Sequence, residues 1–400
     1  MYDGQIVFSQ LMDYVPRGPF HTCVRRYRGD RRMRGFSCHD QFLCMAFAQL
    51  TYRESLRDIE TCLRAMGSKL YHAGFRSRVS RSTLADANEH RDWRIWSDLA
   101  AVLIERARAL YATDSALRSA AQSTSAMSVE LKQTVYAFDS TTIDLCLSLF
   151  PWASFRRRKG AVKLHTLIDL RGNIPCFIRV TDGKVHDVKA LDHLPIEPGA
   201  FYVMDRGYVD FARLHRFERA KAFFVIRGKK NMDFAVRESR KVDKMTGLRC
   251  DQTITLQGVV SCKDYPERLR RIHYVDPDTG KRLVLLTNCY KLDAWTITRL
   301  YKARWQVELF FKWIKQNLRI KAFFGTSPNA VKTQIWIAVC VYVLVAIIAK
   351  EQHVARNPSE ILQILGIMLF EKVPMNQALT AEYEKVLESD DRNQLLLFNF

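Results

Sequence analysis

Several patterns that mark common protein classes are missing from the sequence. Its ten cysteines form no Cys-x-x-Cys pair, and no two histidines lie at the spacing of zinc ligands. These absences argue against a zinc finger, a zinc ribbon or a redox dithiol. There is no Gly-rich loop followed by Lys-Ser or Lys-Thr, so ATP is not implicated. No secretory leader opens the sequence, which predicts a reduced, cytoplasmic protein without a disulfide framework.

The sequence also lacks a clean hydrophobic run long enough to cross a membrane. Its most apolar segment, residues 335–348 (IWIAVCVYVLVAII), has 14 residues, whereas a transmembrane helix needs about 20. Extending the segment back to Val331 adds Lys332 and Gln334. A helix that is apolar on every side is typical of a protein interior, so we expect a buried helix here.

Acidic residues are scarce relative to basic ones. Lysine and arginine number 62 against 42 aspartates and glutamates, which gives a net charge of +20 and a pI near 9.6. Such an excess repels itself in the folded state, and a polyanion that neutralises it is the usual reason for keeping it. We therefore expect contact with nucleic acid, with a basic enzyme as the alternative. The 400 residues and 48% hydrophobic content predict two or three folded domains.

Two short segments concentrate the positive charge. Residues 17–34 contain seven arginines and one aspartate, and the arginines include Arg25, Arg26 and Arg28. Residues 155–163 (FRRRKGAVK) contain no acid and five basic residues: Arg156, Arg157, Arg158, Lys159 and Lys163. Because arginine can bind a phosphate with two hydrogen bonds, we expect both segments to contact the DNA backbone. Solvated loops are the alternative for both.

The hydrophobic pattern divides the chain into helical and strand-rich parts. Helices are predicted at 41–49, 55–66 and 84–110, and residues 111–130 are rich in Ser, Ala and Thr. Strands are predicted at 134–138 and 200–204, with a hairpin at 163–181 and further strands up to about residue 286. A long helix is predicted to start at Asp293 and to reach residue 318.

Two aspartates end apolar strands in this pattern. Asp139 follows the run TVYAF, and Asp205 follows the run AFYVM. Ligands bind at strand ends in open α/β sheets, so two such carboxylates can hold a divalent cation. Asp144 is the alternative to Asp139, but it precedes an apolar run instead of ending one.

The helix after Asp293 carries a line of polar residues. At 100° per residue, a stripe about 60° wide contains Tyr301, Arg304, Glu308 and Lys315. The apolar stripe beside it contains Leu300, Val307, Phe311, Ile314 and Leu318. Because a surface helix turns its charges away from its apolar face, Glu308 is expected at the edge of the interior. An i,i+4 pair of Arg304 and Glu308 would stabilise any helix, but it does not explain Tyr301 and Lys315.

The polar line and the two aspartates resemble a known signature. Tyr-x2-Arg-x3-Glu-x6-Lys after two strand-end aspartates is similar to the DDE transposases of insertion sequences, particularly their insertion-sequence-four branch. The phrases FDSTTIDL, HDVKALDHLP and MDRGYVDF belong to the resemblance, which extends from about residue 134 to residue 345. It implies an α/β fold: an RNase H-like catalytic core with an inserted β-rich domain, a helical N-terminal DNA-binding domain and a helical C-terminal region.

The resemblance also implies domain boundaries. The expected parts are the N-terminal domain at 1–115, a linker at 116–130, the first part of the core at 131–209, the insertion at 210–290, the second part of the core with the catalytic helix at 291–350, and the C-terminal region at 351–400. The strand before Asp139 would be the first of the core and the strand before Asp205 the fourth. The 102 residues between Asp205 and Glu308 leave room for the insertion.

In this family the catalytic site cuts transposon ends and joins them to target DNA. The resemblance implies that two Mg²⁺ or Mn²⁺ ions are held by Asp139, Asp205 and Glu308, because oxygen ligands suit both metals. The implied partners are double-stranded DNA, as terminal inverted repeats and target, and a second copy of the chain in a homodimer. A hydrolytic nuclease that never joins ends, or a DNA-binding protein with a decayed site, is the alternative.

The remaining signature residues are implied to grip the phosphate beside the scissile bond: Tyr301, Arg304 and Lys315. Trp305 stands where the family often has an aromatic residue near the DNA terminus, with core packing as its alternative. Some relatives cut through a hairpin and place a flipped base on a tryptophan of the insertion. Residues 207–294 contain no tryptophan, so this route would need a different stacking residue: Phe223, Phe224 or Tyr274.

Overall fold

The computed structural model describes residues 4–31, 35–76, 78–114, 133–156, 159–229, 231–317 and 323–380. The predicted linker at 116–130, together with Arg157 and Arg158, lies outside the described residues. So does the last part of the predicted C-terminal region, from residue 381.

Helices fill the N-terminal part of the chain. Their bounds are α1 Val7–Met12, α2 Arg17–Arg26, α3 Cys38–Leu50, α4 Leu56–Ala65, α5 Lys69–His72, α6 Arg81–His90 and α7 Arg94–Tyr111. Side-chain caps fix several starts: Ser37 and Asp40 form a reciprocal capping box before α3, and Ser55 accepts from the backbone of Asp58 in α4. The predicted helices at 41–49 and 55–66 are therefore present.

The predicted helix at 84–110 is wrong in one respect, because two helices replace it. Arg91 has an extended backbone (φ −75°, ψ 132°) that ends α6. The Asp92 carboxylate then accepts hydrogen bonds from the backbone and side chain of Arg94 at the start of α7. An acidic side chain that binds backbone N–H groups favours a helix start over a helix interior, which explains the break.

One mixed sheet forms the centre of the molecule. The strands are β1 Val135–Leu145, β2 Ser154–Arg156, β3 Lys159–Asp169, β4 Ile174–Asp182, β5 Phe201–Met204, β6 Phe223–Arg227, β7 Phe234–Arg240, β8 Leu248–Leu256, β9 Leu269–Val275 and β10 Arg282–Thr287. Their order is β2-β3-β1-β5-β6-β10-β9-β8-β7, with β4 paired to β3. β1, β5 and β6 are parallel neighbours, and the other pairs are antiparallel.

The predicted hairpin is confirmed as β3 and β4. Gly172 and Asn173 in its turn have positive φ values of 76° and 56°, a conformation that glycine and asparagine tolerate best. Tyr111 lies against Gly172 so closely that a Cβ atom there would meet its ring at 2.3 Å. The turn is thus fixed against the last residue of α7.

The region 210–290 is continuous with the rest of the sheet. Its first part is helix α8, Phe211–Arg219, followed by β6, which pairs in parallel with β5. Strands β7 to β10 then extend the same sheet through antiparallel pairs, with a short helix α9, Ser261–Asp264, between β8 and β9. The strands of this region therefore build outwards from β6.

The C-terminal half adds helices to one side of the sheet. Their bounds are α10 Ala294–Ala303, α11 Trp305–Asn317, α12 Pro328–Glu351, α13 Pro358–Met368 and α14 Met375–Thr380. α12 packs on α3, α6 and α7, and its residues 337–348 are all buried. Among the described residues it is the one helix that could cross a membrane by length and composition. Its burial by neighbouring helices agrees with the predicted buried helix.

The sheet separates two hydrophobic cores. The larger core joins the N-terminal helices, α10 to α14 and one face of the strands, where it includes Val135, Ala137, Val203 and Val225. The smaller core lies on the opposite face, where it includes Tyr136, Phe138, Met204 and Ile226 of the strands together with residues of α8. Successive residues of a strand point to opposite faces, so odd-numbered positions of these strands face α10 and α11.

Candidate active site

The register of the parallel strands places the two predicted aspartates side by side. Phe138 of β1 pairs with Met204 of β5, and the pairing ends there. The next residues are Asp139 and Asp205, about one strand spacing of 4.8 Å apart. Asp139 does not end its strand as predicted, because β1 continues to Leu145 and pairs Asp139 with Thr166 of β3. It ends only the parallel pairing.

Side-chain alternation puts both carboxylates under the same helices. Asp139 and Asp205 share the parity of Ala137 and Val203, which face the larger core. Asp144 has the opposite parity and is exposed near the end of β1. The geometry therefore favours Asp139 over Asp144 as the neighbour of Asp205.

The predicted helix from Asp293 consists of two parts. Asp293 caps α10 by accepting from the backbone of Thr296 at 2.9 Å. At Arg304 the backbone hydrogen bonds change from the i→i−4 spacing of an α-helix to an i→i−3 spacing. The Arg304 N–H donates to the Tyr301 carbonyl at 3.2 Å, and the Arg304 carbonyl accepts from the Val307 N–H at 3.0 Å. Arg304 keeps a right-handed helical backbone (φ −52°, ψ −28°), so Tyr301, Arg304 and Glu308 still project towards the strands.

Arg304 joins two of the three predicted acidic residues. Its Nη1 lies 2.6 Å from Oδ2 of Asp139, and its Nη2 lies 2.6 Å from Oε1 of Glu308. The side chains of Arg304, Asp139 and Glu308 are 14%, 20% and 35% exposed. Such short charge-assisted contacts are stronger than neutral hydrogen bonds, and the partial exposure leaves the group open to a ligand.

The other two signature residues also contact the strands. The Tyr301 hydroxyl donates to Oδ1 of Asp205 at 3.1 Å. The Lys315 amine donates to the Thr142 carbonyl, three residues beyond Asp139 in β1, at 2.8 Å. All four residues of the predicted polar line therefore point from α10 and α11 towards the strands that bear the aspartates.

The pKa values of the two aspartates are shifted in opposite directions. Burial raises the pKa of Asp139 to about 6, and the charges of Asp205 and Glu308 add to the increase against the opposing effect of Arg304. Burial also acts to raise the pKa of Asp205, but the backbone N–H of Arg206, the Arg304 charge and the Tyr301 hydroxyl outweigh it and hold this pKa below its usual value. Burial and the Asp205 charge raise the pKa of Tyr301 to about 12, so Tyr301 remains a donor.

The donor set suits a hard divalent cation. Asp139, Asp205 and Glu308 supply only carboxylate oxygens, the ligands that Mg²⁺ and Mn²⁺ prefer, and a cation already lies between two of them as the guanidinium of Arg304. Within the described residues, no three histidine, cysteine or carboxylate side chains lie close enough to bind one ion together. The Arg304 guanidinium lies between the Asp139 and Glu308 carboxylates.

The predicted DNA-contacting residues lie in different surroundings. Trp305 is 57% exposed at the start of α11, so core packing does not account for it. Lys159 is exposed at the start of β3. Lys163 faces the opposite side of the sheet, where its amine donates to the Val185 carbonyl at 2.8 Å and pairs with Asp187 at 3.1 Å. Arg156 lies at the end of β2.

The arginines of the N-terminal segment lie on a solvent-facing surface. Arg25 and Arg28 are exposed, and Arg26 pairs with Asp98 at 2.5 Å while its side chain stays 60% exposed. Arg28 has a positive φ of 54° and lines a cavity of about 650 Å³ between α2 and α6. The structure does not bring these arginines into contact with the aspartates.

The predicted base-stacking residues are largely enclosed. Phe224 and Tyr274 are fully buried in the two cores, and Phe223 stacks on Phe201 with ring centroids 4.8 Å apart. None of these three rings is presented to solvent as a platform for a base. These rings pack against other side chains of the protein because each belongs to a strand inside the extended sheet, whose faces are covered.

The sequence did not lead us to Arg227, a charged residue that lies in line with Asp139 and Asp205. The run FFVI of β6 ends at Arg227, just as VYAF ends at Asp139 and FYVM ends at Asp205. Three four-residue apolar runs, each followed by a charged residue, were the available signal. The parallel register aligns the three charges in one row on one face.

The sequence is similar to known transposases. Residues 130–344 match the family described as Transposase DDE domain, and residues 3–76 match a domain of unknown function, DUF4372. "Putative transposase y4zB" of Sinorhizobium fredii is 35% identical over 238 residues, 58% of this chain and 66% of that protein. "Probable transposase for insertion sequence element IS5377" of Geobacillus stearothermophilus is 33% identical over 208 residues, 52% of this chain and 54% of that protein.

The chain thus spans 66% and 54% of the lengths of these two relatives. A solved structure, the piggyBac transposase synaptic complex with hairpin DNA, was also compared with this chain. The superposition covers 96% of this chain and 83% of the piggyBac chain, with a TM-score of 0.43 and 11% sequence identity. The matched family covers more than half of the sequence and all the residues of the candidate site. The chain therefore belongs to the transposase DDE domain family.

Proposed function

We propose that this protein is a transposase that cuts DNA at the ends of an insertion sequence and joins those ends to target DNA. The observation that carries the proposal is the geometry of the site: Asp139 and Asp205 lie side by side, and Arg304 joins Asp139 to Glu308. The two relatives above carry transposase names. Acidic residues that converge from distant parts of the chain are expected of a phosphoryl-transfer site.

An RNase H-like core is part of this proposal. Asp139 lies on the first strand, and Asp205 follows β5, the fourth strand when the three-residue β2 is set aside. The helix with Glu308 comes after strands β7 to β10, as an insertion between the two parts of the core requires. These positions support the expected domain order from 131 to 350, with the insertion beginning after β6.

Asp139, Asp205 and Glu308 would hold the divalent ions, two of Mg²⁺ or Mn²⁺. When bound, two such ions would supply activation of a water or a DNA 3′-hydroxyl and stabilisation of the leaving oxygen in an in-line displacement. The chain supplies carboxylates held at fixed places by the β1–β5 register and by α11. Asp139 must lose its proton to bind a cation, and its pKa of about 6 allows this at neutral pH.

The signature residues would orient the DNA. Arg304 can bind a phosphate through the same guanidinium that now joins Asp139 and Glu308, since its fork fits phosphate as well as carboxylate. Tyr301 donates a hydrogen bond, and Lys315 adds a point charge beyond Asp139. Trp305 is exposed next to Arg304 and offers a ring face to a nucleotide.

Double-stranded DNA, as terminal repeats and target, is the proposed partner, and the reaction would occur on cytoplasmic, nucleoid DNA. The exposed Arg25, Arg26 and Arg28 are the proposed contacts of the N-terminal helices. Lys163 is left out of the interface because it is paired inside the protein. A homodimer is proposed because two ends must be brought together before they are joined.

The test uses the DNA that flanks the gene. Short inverted repeats bracketed by a direct duplication identify the ends, which are labelled and incubated with the protein, a target plasmid and Mg²⁺. We expect cleavage at the repeats and a joined product of higher mass. Cleavage without joined product would establish the nuclease alternative, and metal-independent binding without cleavage would establish a decayed site.

A further inference from the structure

Arg227 extends the row of carboxylates onto a third strand. Ile226 of β6 pairs with Met204 of β5, so Arg227 follows the end of that pairing as Asp205 does. Strand spacing places its backbone about 5 Å from that of Asp205 and about 10 Å from that of Asp139. Arg227 shares the parity of Val225, which faces the larger core, and so it lies on the face covered by α10 and α11.

Arg227 lies beside the acidic residues, but its charge is not paired with any of them. The register places its backbone next to that of Asp205, and the positive charge acts to lower the pKa values of Asp205 and Tyr301. Among the described residues, the Arg227 side chain has no ion pair and no hydrogen bond, and it is half-buried. A cation in this setting is available to a ligand that enters from solvent.

Other arginines on neighbouring strands are used differently. Arg270 of β9 is buried in an ion pair with Asp251 at 2.8 Å and also donates to the Cys289 carbonyl. Arg240 of β7 contacts Glu238 at 3.0 Å and Thr253 at 2.8 Å. These side chains hold the strands together, so their charges are satisfied by the protein. Arg227 differs because it stands at the end of a parallel strand, beside the carboxylates.

The cations of the site form a line along the helices. α10 packs on β5 and β6, and α11 packs on β1, so the two helices cross the strands from Arg227 towards Lys315. Arg304 lies between these ends, at Asp139 and Glu308. A DNA strand that follows this line would meet positive charge on both sides of the carboxylates, with Arg227 on the β6 side.

We propose that Arg227 binds the phosphate next to the scissile phosphate, on the side of β6, and so fixes the position of the cut strand over the carboxylates. This role rests on the proposed function and adds a DNA-binding residue outside the Tyr-Arg-Glu-Lys signature. The chemical class recognised is a single phosphodiester of the cut strand. Its guanidinium donates two hydrogen bonds to the phosphate oxygens and leaves the base sequence unread.

A different role would give a different result. If Arg227 acted only by balancing the charge of Asp205, its removal would disturb the site equally whichever DNA phosphate was neutralised. If Arg227 binds one phosphate, its removal and the neutralisation of that phosphate abolish the same interaction. The two changes are then not additive.

The experiment combines protein variants with DNA ends that carry one uncharged methylphosphonate at each position around the cut. The variants are Arg227→Gln, Arg227→Lys and a control, Arg219→Gln. Arg219 is exposed at the end of α8, on the opposite face and at the other end of β6, and its change removes the same charge. Single-turnover cleavage is measured with Mg²⁺, and DNA affinity is measured separately in a Glu308→Gln background that does not cut.

In the Glu308→Gln background with Arg227 unchanged, we expect one flanking position at which the methylphosphonate lowers DNA affinity by about tenfold to a hundredfold, the range for a charge-assisted hydrogen bond. Arg227→Gln should show the same loss of affinity with unmodified DNA. A methylphosphonate at that flanking position should then lower its affinity no further. Arg227→Lys should retain part of the sensitivity, and Arg219→Gln all of it.

The proposal is overturned if Arg227→Gln keeps the native sensitivity at every phosphate, or if its loss adds in full to that of each methylphosphonate. Arg227→Lys answers the same question should Arg227→Gln fail to fold. Failure of the proposed function is a separate outcome: no DNA end is then cut by the native protein, while the affinity measurements still report on Arg227.

Discussion

The two faces of the sheet at β1 use polar residues in opposite ways. Under α10 and α11, Asp139, Arg304 and Glu308 pair at 2.6 Å and stay partly open to solvent. On the other face, His165 is fully buried and shares a hydrogen bond with Thr181 at 2.9 Å. Burial lowers the pKa of His165 to about 4, so this side chain remains neutral at physiological pH.

The comparison shows that strand parity decides which polar residue belongs to the site. His165 pairs with Ser140, one residue from Asp139, yet the two side chains at 139 and 165 point to opposite faces. The site face keeps charge where a substrate can reach it, whereas the opposite face encloses its charge in internal pairs such as Lys163 with Asp187. Changes on the two faces should therefore have different consequences.

The largest effect is expected from Glu308→Gln on the site face. This change keeps the shape of the side chain but removes the charge that pairs with Arg304 and would bind a metal ion. We expect unchanged DNA affinity and a loss of cleavage of a hundredfold or more, because metal-ion stabilisation is worth several kcal/mol. Cleavage of labelled ends measures it. Activity above a few per cent of the native rate would remove Glu308 from the ligand set.

Arg304→Ala should have the next largest effect. It removes the cation between Asp139 and Glu308, and turnover should fall by about tenfold to a hundredfold. DNA affinity should fall less, since one contact among many is lost. The control is Lys312→Ala, an exposed charge on α11. Equal losses of turnover in the two variants would contradict a role of Arg304 in orienting a phosphate.

Much of the site was predictable from the sequence because its parts are local. The apolar runs before Asp139 and Asp205 predicted strands, and the spacing of Tyr301, Arg304 and Glu308 predicted one helical line, which is confirmed although the helix divides at Arg304. These features depend on neighbours within a few residues, where periodicity is informative.

Other features depend on pairing between distant segments. The continuation of β1 beyond Asp139 follows from ten paired positions with β3, which no local pattern indicates. Lys163 reads as an accessible basic residue, but its position opposite Thr142 sends its side chain to the enclosed face. The charge row that ends at Arg227 follows from the order of β1, β5 and β6. These features depend on the pairing register and the order of the strands, which the composition of the sequence does not determine.

A third prediction concerns the stability of the metal-free protein. Folding raises the pKa of Asp139 from about 4 to about 6, so between these values the folded state binds more protons than the unfolded state. Stability must then fall as pH rises through this window, and the deficit of about 3 kcal/mol persists at higher pH. Asp139→Asn carries no charge and should be more stable than the native protein at pH 8, measured by urea unfolding without metal.

The control for this prediction is Asp144→Asn, an exposed position on the opposite face of the same strand. It should leave the difference between pH 4 and pH 8 unchanged. Mg²⁺ should raise the melting temperature of the native protein and not that of Asp139→Asn, since only a folded state that binds the ion is stabilised by it. If Asp139→Asn is destabilised by the same amount at both pH values, ionisation of the Asp139 carboxylate does not destabilise the folded state.

The smallest effect on DNA is expected from Lys163→Gln, which tests the enclosed face. Its amine lies between the Val185 carbonyl and Asp187, and the side chain is 13% exposed. Loss of this pair should cost about 1 kcal/mol of stability, while the dependence of DNA affinity on salt stays unchanged. Lys159→Gln, at the exposed start of the same strand, should reduce the slope of log affinity against log salt by about one. Both lysines have the same parity in β3, so the comparison is between an enclosed and an exposed side chain. An equal change of slope in Lys163→Gln would mean that its ion pair with Asp187 opens to bind DNA, and the enclosed role of Lys163 would fail.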